Sequence, residues 1–418
     1  MRVLIISPIE IFLEPRLRKA AASFCNAGYE VHVLVCLKMH AHKNQFEDIK
    51  STYSSIIWHE TDIRKNSFFS RVNWLISKIL NRIYVNTYKL LKLDISGSLG
   101  ILNDAFITSK KINLHFDIIY TNLIDNLPLA HNYSKRSKNC KLIYDSQEYF
   151  TGQYSKMNRT LYDWVCKTES KFIDRCDLVI STTNVMKDAL LNKYPQINKI
   201  VRVRNLPLKE ELPEEYKYDI NTPVKIIWHG KSINIESERG LHLIIRAVLN
   251  IDVRVDLFLQ GSITNLEIQK LQNLIQQTNS ENRIQIVPSA KASEILESIV
   301  NYDIGFIGEI ATEENQVLTS SNKLFDYITS GLAVLSPSIL GILETTEEFN
   351  NAAMYDQGSL ESLIDQLRKM LIDKEYLLTL KANSRNASMS CLWEFDFQYV
   401  LQSLTNDIEQ IKNKENLS

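Results

Sequence analysis

Thr319-Ser320-Ser321-Asn322-Lys323-Leu324-Phe325-Asp326-Tyr327-Ile328-Thr329-Ser330-Gly331-Leu332-Ala333-Val334-Leu335-Ser336 reads as a polar turn, a short helix, a glycine stop and a buried strand. Ser320 or Ser321 is placed to cap the helix by accepting a backbone N–H. The remaining free N–H groups and the helix dipole then face outward, which makes an anion site. Asp326 follows Asn322 by four residues and so lies one turn down on the same face. A carboxylate one turn below an anion site suits a nucleotide, with the diphosphate at the helix tip and the ribose hydroxyls on Asp326. The competing reading is an ordinary capped helix ahead of a strand.

Outward from this stretch, short Val/Ile/Leu runs alternate with longer helical patterns. The strands expected are 2–7, 30–35, 117–121, 141–144, 177–181 and 200–204, then 224–228, 254–259, 283–287, 303–307 and 332–335. Continuous apolar strands are buried on both faces, which implies parallel sheets covered by helices. The fold class is therefore α/β, with two Rossmann-like doubly wound domains facing across a cleft. Leu206 to Pro223, with Pro207, Pro213, Pro223 and five acidic residues, reads as the linker. This divides the chain into a domain at 1–206, a linker at 207–223 and a second domain at 224–392. The helical pattern from Trp393 to Ile411 has no strand after it and is expected to pack back on the first domain. The polar end, Lys412 to Ser418, is expected to fray.

A length of 418 residues calls for two or three domains. Net charge is −1, so no global field points to nucleic acid. Cys25, Cys36, Cys140, Cys166, Cys176 and Cys391 are scattered without a CxxC pair, which argues against a disulfide framework or a zinc site and fits a reducing, cytoplasmic setting. The opening Met1-Arg2-Val3-Leu4-Ile5-Ile6-Ser7-Pro8 is followed at once by Glu10, Glu14 and Arg16, the pattern of a buried strand and not of a signal peptide. No apolar run approaches the ~20 residues needed to span a bilayer.

With these motifs in order, the chain resembles the GT-B glycosyltransferases of the large retaining family four. The resemblance rests on the opening strand with Glu14-Pro15-Arg16-Leu17-Arg18-Lys19-Ala20 and Ala27-Gly28-Tyr29-Glu30-Val31. It continues through Cys176-Asp177-Leu178-Val179-Ile180-Ser181, Val203-Arg204-Asn205, and Asn322-Lys323-Leu324-Phe325-Asp326-Tyr327 with Gly331. It implies a nucleotide diphosphate sugar as donor and a glycan or lipid-linked acceptor in surface polysaccharide synthesis. No other cofactor is implied, and no metal ion. Trp228-His229-Gly230-Lys231 and Arg239-Gly240 fall where the family places a glycine against the diphosphate and two cations on the leaving group. Fixed cations stabilise the charge that grows on a departing diphosphate; solvated loop residues are the alternative for Lys231 and Arg239.

Asp326 matches the family's ribose-binding carboxylate, usually a glutamate. The family's earlier acidic residue falls on Leu318, and Glu309, Glu313 or Glu314 is left to supply that contact to the donor sugar. Gly261 and Val287-Pro288-Ser289 resemble segments that line the base. On the acceptor side, Leu142-Ile143-Tyr144-Asp145-Ser146-Gln147-Glu148 carries Gln147 where many relatives have histidine, and glutamine does not titrate. Asp145 and Glu148 are either cleft-facing catalytic groups or helix caps. Asn122 is a further cleft candidate, Asn205 fixes the hinge turn, and Arg16 meets either an acceptor phosphate or an internal carboxylate.

Residues 64–93 hold Arg64, Lys65, Arg71, Lys78, Arg82, Lys89 and Lys92 and no acid. Val72, Leu75, Ile76, Ile79, Leu80 and Ile83 recur at helical spacing. Such a helix either lies on an anionic membrane, peripherally at the inner face, or packs on the core with a solvated basic face. Two rivals to the transferase remain: a nucleotide-sugar 2-epimerase of the same fold, and a non-catalytic nucleotide-sugar or glycan-binding scaffold.

Overall fold

The computed structural model describes residues 1–7, 14–39, 43–95, 112–154, 158–276 and 283–415. Glu10 and residues 416–418 lie outside them. The chain forms two compact units. The first comprises residues 1–182, 186–203 and 397–418, and the second 183–185 and 204–396.

The first unit is built on β1 (Arg2–Ser7), β2 (Glu30–Leu37), β3 (Ile57–Asp62), β4 (Ile118–Thr121), β5 (Lys141–Asp145), β6 (Leu178–Ser181) and β7 (Ile200–Arg202). They lie in the order β3-β2-β1-β4-β5-β6-β7, every ladder parallel. The second unit holds β8 (Val224–Ser232), β9 (Val255–Ser262), β10 (Arg283–Val287), β11 (Ile304–Phe306), β12 (Ala333–Pro337) and β13 (Ala352–Tyr355). Their order is β10-β9-β8-β11-β12-β13, again all parallel. Counted along the chain, this is the 3-2-1-4-5-6 order of a doubly wound sheet, whose strand order reverses between β8 and β11; in the first sheet the same point falls between β1 and β4. The sequence reading did not include β3 and β13. Both are edge strands: Ile57–Asp62 is largely exposed or half-buried, and Ala352–Tyr355 alternates half-buried and buried residues. β3 follows Ile57-Trp58 with His59-Glu60-Thr61-Asp62, and β13 opens on Ala352-Ala353, so neither shows the Val and Ile residues that mark β7 and β10, the other two edge strands.

Burial explains the rest. Val3 to Ile6 and Val33 to Cys36 have no exposure, as expected of strands covered on both faces. In the second unit, the helix Leu241–Asn250 buries Leu241, Ile244, Ile245 and Val248 against a core that includes Trp228, Leu257 and Phe306. Residues 207–223, read as the linker, belong to the second unit. Asn221 is held there by Asp303 at the amino end of β11, through its backbone N–H and its amide. Asp303 also receives the buried Lys381 ammonium at 3.1 Å. The places where the chain leaves the first unit and rejoins it are tied together. Arg204 makes a two-pronged pair with Asp396, and the Arg204 backbone N–H donates to the same carboxylate. The last helix runs Trp393–Glu415, and its Phe397 packs edge-on against Phe24 of the first unit.

Candidate functional site

The second unit carries a cavity of about 630 Å³ at the carboxyl ends of its central strands. Gly230, Lys231, Arg239, Ser321, Asn322 and Asp326, all picked from sequence, line it. β8 runs four residues beyond its expected end, and its pairing with β9 becomes irregular between His229 and Ser232. Glycine is required there: a Cβ on Gly230 would lie 2.6 Å from the Trp228 ring. A Cβ on Gly261 would lie 2.6 Å from the Gly230 carbonyl oxygen, so Gly261 works behind the wall and not on it. The Ser262 hydroxyl holds the Lys231 carbonyl at 2.7 Å, leaving the exposed Lys231 side chain at the rim.

Arg239 is set by a second close approach. Gly240 has φ +63° and opens the helix Leu241–Asn250. A Cβ there would stand 2.1 Å from the Gly308 carbonyl oxygen, and one on Gly308 would stand 2.4 Å from the Arg239 carbonyl oxygen. The two glycines let the Arg239 loop lie against the end of β11, with the guanidinium exposed on the cavity side.

The helix Asn322–Thr329 supplies the opposite wall, and here one expectation fails. Ser321 occupies the cap position, but no side chain caps the helix. Its hydroxyl donates instead to Glu309 Oε1 at 2.9 Å. The Ser320 hydroxyl is buried without a partner and is not on the cavity surface. The charge-assisted bond to the carboxylate turns the Ser321 hydroxyl toward Glu309 and away from the backbone N–H groups that a cap would accept from. Asn322 Oδ1 accepts from Asn205 at 2.8 Å, which ties the turn at 205 to the helix tip.

Asp326 sits one turn down, with Oδ2 3.4 Å from His229 Nε2. His229 is buried against the Tyr327 ring, at 5.2 Å and edge-on. Burial, then the nearby Lys323 ammonium, push its pKa down to about 3, so the ring is neutral at physiological pH and the 3.4 Å approach is not an ion pair. Lys323 lies 5.7 Å from the centre of the Trp228 ring and 2.5 Å from Glu309 Oε1. His229 and Lys323 stand inside quoted motifs, yet neither was singled out. Their role depends on which way β8 and the helix turn them, and spacing alone does not give that. Of the three acids weighed for the missing contact, Glu309 is the one in the cavity wall. Glu313 turns back to form a capping box with Gln316, and Glu314 is exposed. Of the expected 287–289 segment only Ser289 reaches the lining, where it closes the far side with Gln260, Ala290, Ala292 and Ile295.

The acceptor-side candidates lie in the first unit. Arg16 is not available to an acceptor phosphate: it is buried with Nε 2.6 Å from Asp145 Oδ2, and its Nη2 donates to the Val203 carbonyl at 2.8 Å. Asp145 is likewise neither a helix cap nor an exposed acid, since Tyr120 donates to the same oxygen at 2.5 Å. Both groups belong to one buried ion pair. Gln147 and Glu148 are half-buried, and Glu148 accepts from Gln153 at 3.1 Å. Asn122 donates to Glu14 at 3.3 Å, and Gln147 also hydrogen-bonds the Glu14 carboxyl. Burial raises the Glu14 carboxyl above the ordinary range, against the effect of those two amides. Glu14 was quoted in the opening motif without a role. What gathers Asn122 and Gln147 around it is the β1–β4–β5 order.

Among the described residues no group of histidine, cysteine, aspartate and glutamate is arranged to hold a metal ion, and no helix is long and apolar enough to cross a membrane. No protein-family model and no curated protein matches the sequence. Solved structures do. A glycosyltransferase from Rickettsia africae is similar over 97% of this chain and 98% of its own, at 14% identity and a TM-score of 0.63. HepE of Anabaena, in complex with UDP-glucose, is similar over 98% and 100%, at 14% identity and a TM-score of 0.62. TarM of S. aureus, in complex with fondaparinux, alpha-GlcNAc-glycerol and UDP, is similar over 96% and 99%, at 10% identity and a TM-score of 0.63. Two parallel doubly wound units and these full-length likenesses identify the architecture: the chain has the GT-B glycosyltransferase fold.

Proposed function

We propose that this protein is a glycosyltransferase that moves a sugar from a nucleotide diphosphate donor to a hydroxyl acceptor, with retention at the anomeric carbon. The observation that carries the reading is the second-unit cavity, which brings together Lys231, Arg239, the uncapped start of the helix Asn322–Thr329 and the Asp326 carboxylate. The diphosphate takes the helix tip and the two cations, and the ribose hydroxyls take Asp326. HepE with UDP-glucose and TarM with UDP support a nucleotide-sugar donor on this fold.

In the transfer, the bond between the anomeric carbon and the phosphate oxygen breaks and its electron pair leaves with the diphosphate. Lys231 and Arg239 stabilise that charge from fixed positions, a task that needs no metal ion. The acceptor oxygen bonds to the anomeric carbon on the same face, and its proton passes to the departing phosphate oxygen. No side-chain base is required, which suits Gln147, a group that hydrogen-bonds without titrating.

The acceptor is a glycan or a lipid-linked glycan of a surface polysaccharide, met at the inner face of the plasma membrane. The helix Phe68–Leu91 supports this. Only Ser70, Ser77 and Tyr88 on it are buried, while Phe68 and Phe69 are 75% and 78% exposed and Leu75, Ile76, Ile79 and Ile83 are also exposed. Arg71, Lys78, Arg82 and Lys89 are exposed on the same helix. An outward apolar stripe flanked by cations fits an anionic bilayer surface.

Calorimetry tests the donor site. Asp326→Ala and Lys231→Ala should fold normally and lose at least tenfold in nucleoside diphosphate affinity, and unchanged binding refutes the assignment. Thermal-shift screening of nucleotide sugars should name the donor, because binding raises stability by mass action. Product formed from the donor alone, without acceptor, would mark an epimerase instead. Sedimentation with phosphatidylserine-containing vesicles tests the helix. Replacing Arg71, Lys78 and Arg82 by Glu removes at least about 3 kcal/mol of attraction, roughly a hundredfold in partitioning. Unaltered sedimentation refutes membrane contact.

A further inference from the structure

The second unit has another cavity, of about 360 Å³, within the range of roughly 300–1,000 Å³ that small-molecule sites occupy. It shares no lining residue with the donor cavity. Two helices build it. Leu241–Asn250 presents His242 and Arg246, one turn apart on one face, and Asn265–Gln276 presents Lys270, Asn273 and Leu274, again on one face. The loop before the first helix closes it with Ile235 and Glu236.

The charges here are set for an anion. Arg246 is exposed, and its guanidinium has no acidic partner among the described residues. Lys270 has two, Glu267 Oε1 at 3.0 Å and Glu236 Oε2 at 2.8 Å. The two acids differ. Glu267 is buried, and its other oxygen accepts the Ile235 backbone N–H at 2.7 Å, so it holds the base of the loop. The Glu236 side chain is 69% exposed and has no other partner among the described residues. An exposed pair of this kind contributes little and is easily displaced. A carboxylate resting on an ammonium in a cavity wall, beside an unpaired guanidinium, keeps the place of a stronger anion. A phosphoryl group is that anion: its extra charge and acceptor oxygens engage Lys270 and Arg246 together, and the guanidinium fork matches it bidentately. Ile235 and Leu274 offer apolar surface and Asn273 an amide, which suits the ring and hydroxyls of a sugar carrying the phosphate.

The same loop borders the donor cavity. Lys231 and Arg239 line that cavity, while Ile235 and Glu236, between them in the chain, line this one. Arg239 follows Glu236 across a turn closed by the Gly240 N–H on the Ser237 carbonyl at 3.1 Å. Ile235 is pinned on both sides, by Glu267 and by the His242 N–H donating to its carbonyl at 3.0 Å. Beyond it the loop is held by the Glu236–Lys270 pair and by Glu238, whose carbonyl accepts from the Ile310 N–H at 2.7 Å. Removing the first of these ties loosens the segment that aims Arg239.

We propose that this cavity is an effector site for a small sugar phosphate, that Glu236 occupies the phosphoryl position when the site is empty, and that filling it weakens the grip of Arg239 on the donor. The binding stands on the cavity's own residues; the coupling rests on the donor-site reading above.

Calorimetry on the full chain compares glucose 1-phosphate and fructose 6-phosphate with inorganic phosphate and with glucose. A sugar phosphate should bind, inorganic phosphate should bind more weakly and glucose should not bind. Arg246→Ala should weaken the ester at least about tenfold. Glu236→Gln should strengthen it about two- to fivefold, and Lys231→Ala should leave it unchanged. All three side chains are exposed, and melting temperatures confirm that the variants fold. Binding lost in Lys231→Ala but kept in Arg246→Ala would place the ester in the donor cavity and overturn the proposal. So would binding of neither ester, or inorganic phosphate bound as tightly. Saturating ester should lower UDP or GDP affinity about fivefold in the wild-type chain and not in Arg246→Ala, and the nucleotide should weaken the ester by the same factor. A nucleotide affinity that stays constant or rises overturns the coupling. A chain that binds the ester but neither nucleotide overturns the donor-site reading and the coupling with it, while the Arg246→Ala result still decides the effector site.

Discussion

The carboxyl ends of the two sheets use the same kinds of side chain to opposite effect. At the first, Asp145 is enclosed by Arg16 at 2.6 Å and Tyr120 at 2.5 Å, and Arg16 spends its remaining reach on the Val203 carbonyl. At the second, Lys231 and Arg239 stand exposed at a cavity rim and the helix start has no side-chain cap. Charges paired with one another are there for the fold. Charges left waiting at a strand end are there for something that arrives. By that criterion Arg16, and Asp145 through its paired Oδ2, belong to the fold, while Lys231 and Arg239 stay on the list of groups that could touch a substrate.

The sharpest way to break this comparison is to cut the closed pair. Asp145→Ala strands the buried Arg16 cation, and losing one partner of a buried pair typically costs about 3–5 kcal/mol. Urea unfolding should show a loss of that size, with nucleoside diphosphate affinity unchanged well below the melting temperature. A loss under about 1 kcal/mol would mean that Arg16 finds water or another partner, and the first site would then count as open. Glycines give a finer test. Gly240 has a left-handed φ and would bring a Cβ within 2.1 Å of the Gly308 carbonyl, whereas Gly28, at φ +82°, has nothing within 4 Å of that position. Gly28→Ala should cost only backbone strain, about 1 kcal/mol. Gly240→Ala should cost about 1–3 kcal/mol and should also weaken nucleotide binding, because it shifts Arg239. Equal costs at the two positions would show that the Arg239 loop gives way freely.

How much of this was legible in the sequence follows from the same physics. Interior strands announce themselves because both faces are apolar, so β1, β2, β8 and β12 were read close to their true positions, while the edge strands Ile57–Asp62 and Ala352–Tyr355 were not. Residues whose role follows from spacing along one element, such as Asn322 and Asp326, were placed in the cavity wall. Residues whose role depends on a neighbour distant in sequence were not legible. Arg16 meets Asp145 across 129 positions, and Asn122 meets Glu14 across 108. Glu309 could be narrowed only to one of three acids until Ser321 and Lys323 were seen around it.

The mildest test concerns protons and again sets one site against the other. His229 has its pKa lowered to about 3, first by burial and then by Lys323, from an unfolded value near 6.5. Below pH 6.5 the unfolded chain takes up a proton that the folded chain refuses. The stabilising contribution is therefore complete above that pH and is lost as pH falls toward 3. Between pH 6 and pH 5 this single proton accounts for about 1 kcal/mol of lost stability. His131 in the first unit is lowered to about 4, by burial and then by Lys135 and Arg175, and adds a slope of the same sign. His229→Gln should therefore remove only part of the acid sensitivity, seen as a flatter plot of unfolding free energy against pH over that interval. Nucleotide affinity in the wild-type chain should show no titration assignable to His229 between pH 5 and 8, because the ring stays neutral throughout. An affinity that rose on acidification with a midpoint near 6.5, and lost that rise in His229→Gln, would mean that the imidazole meets the ligand as a cation. The second site would then hold one more waiting charge than its geometry shows.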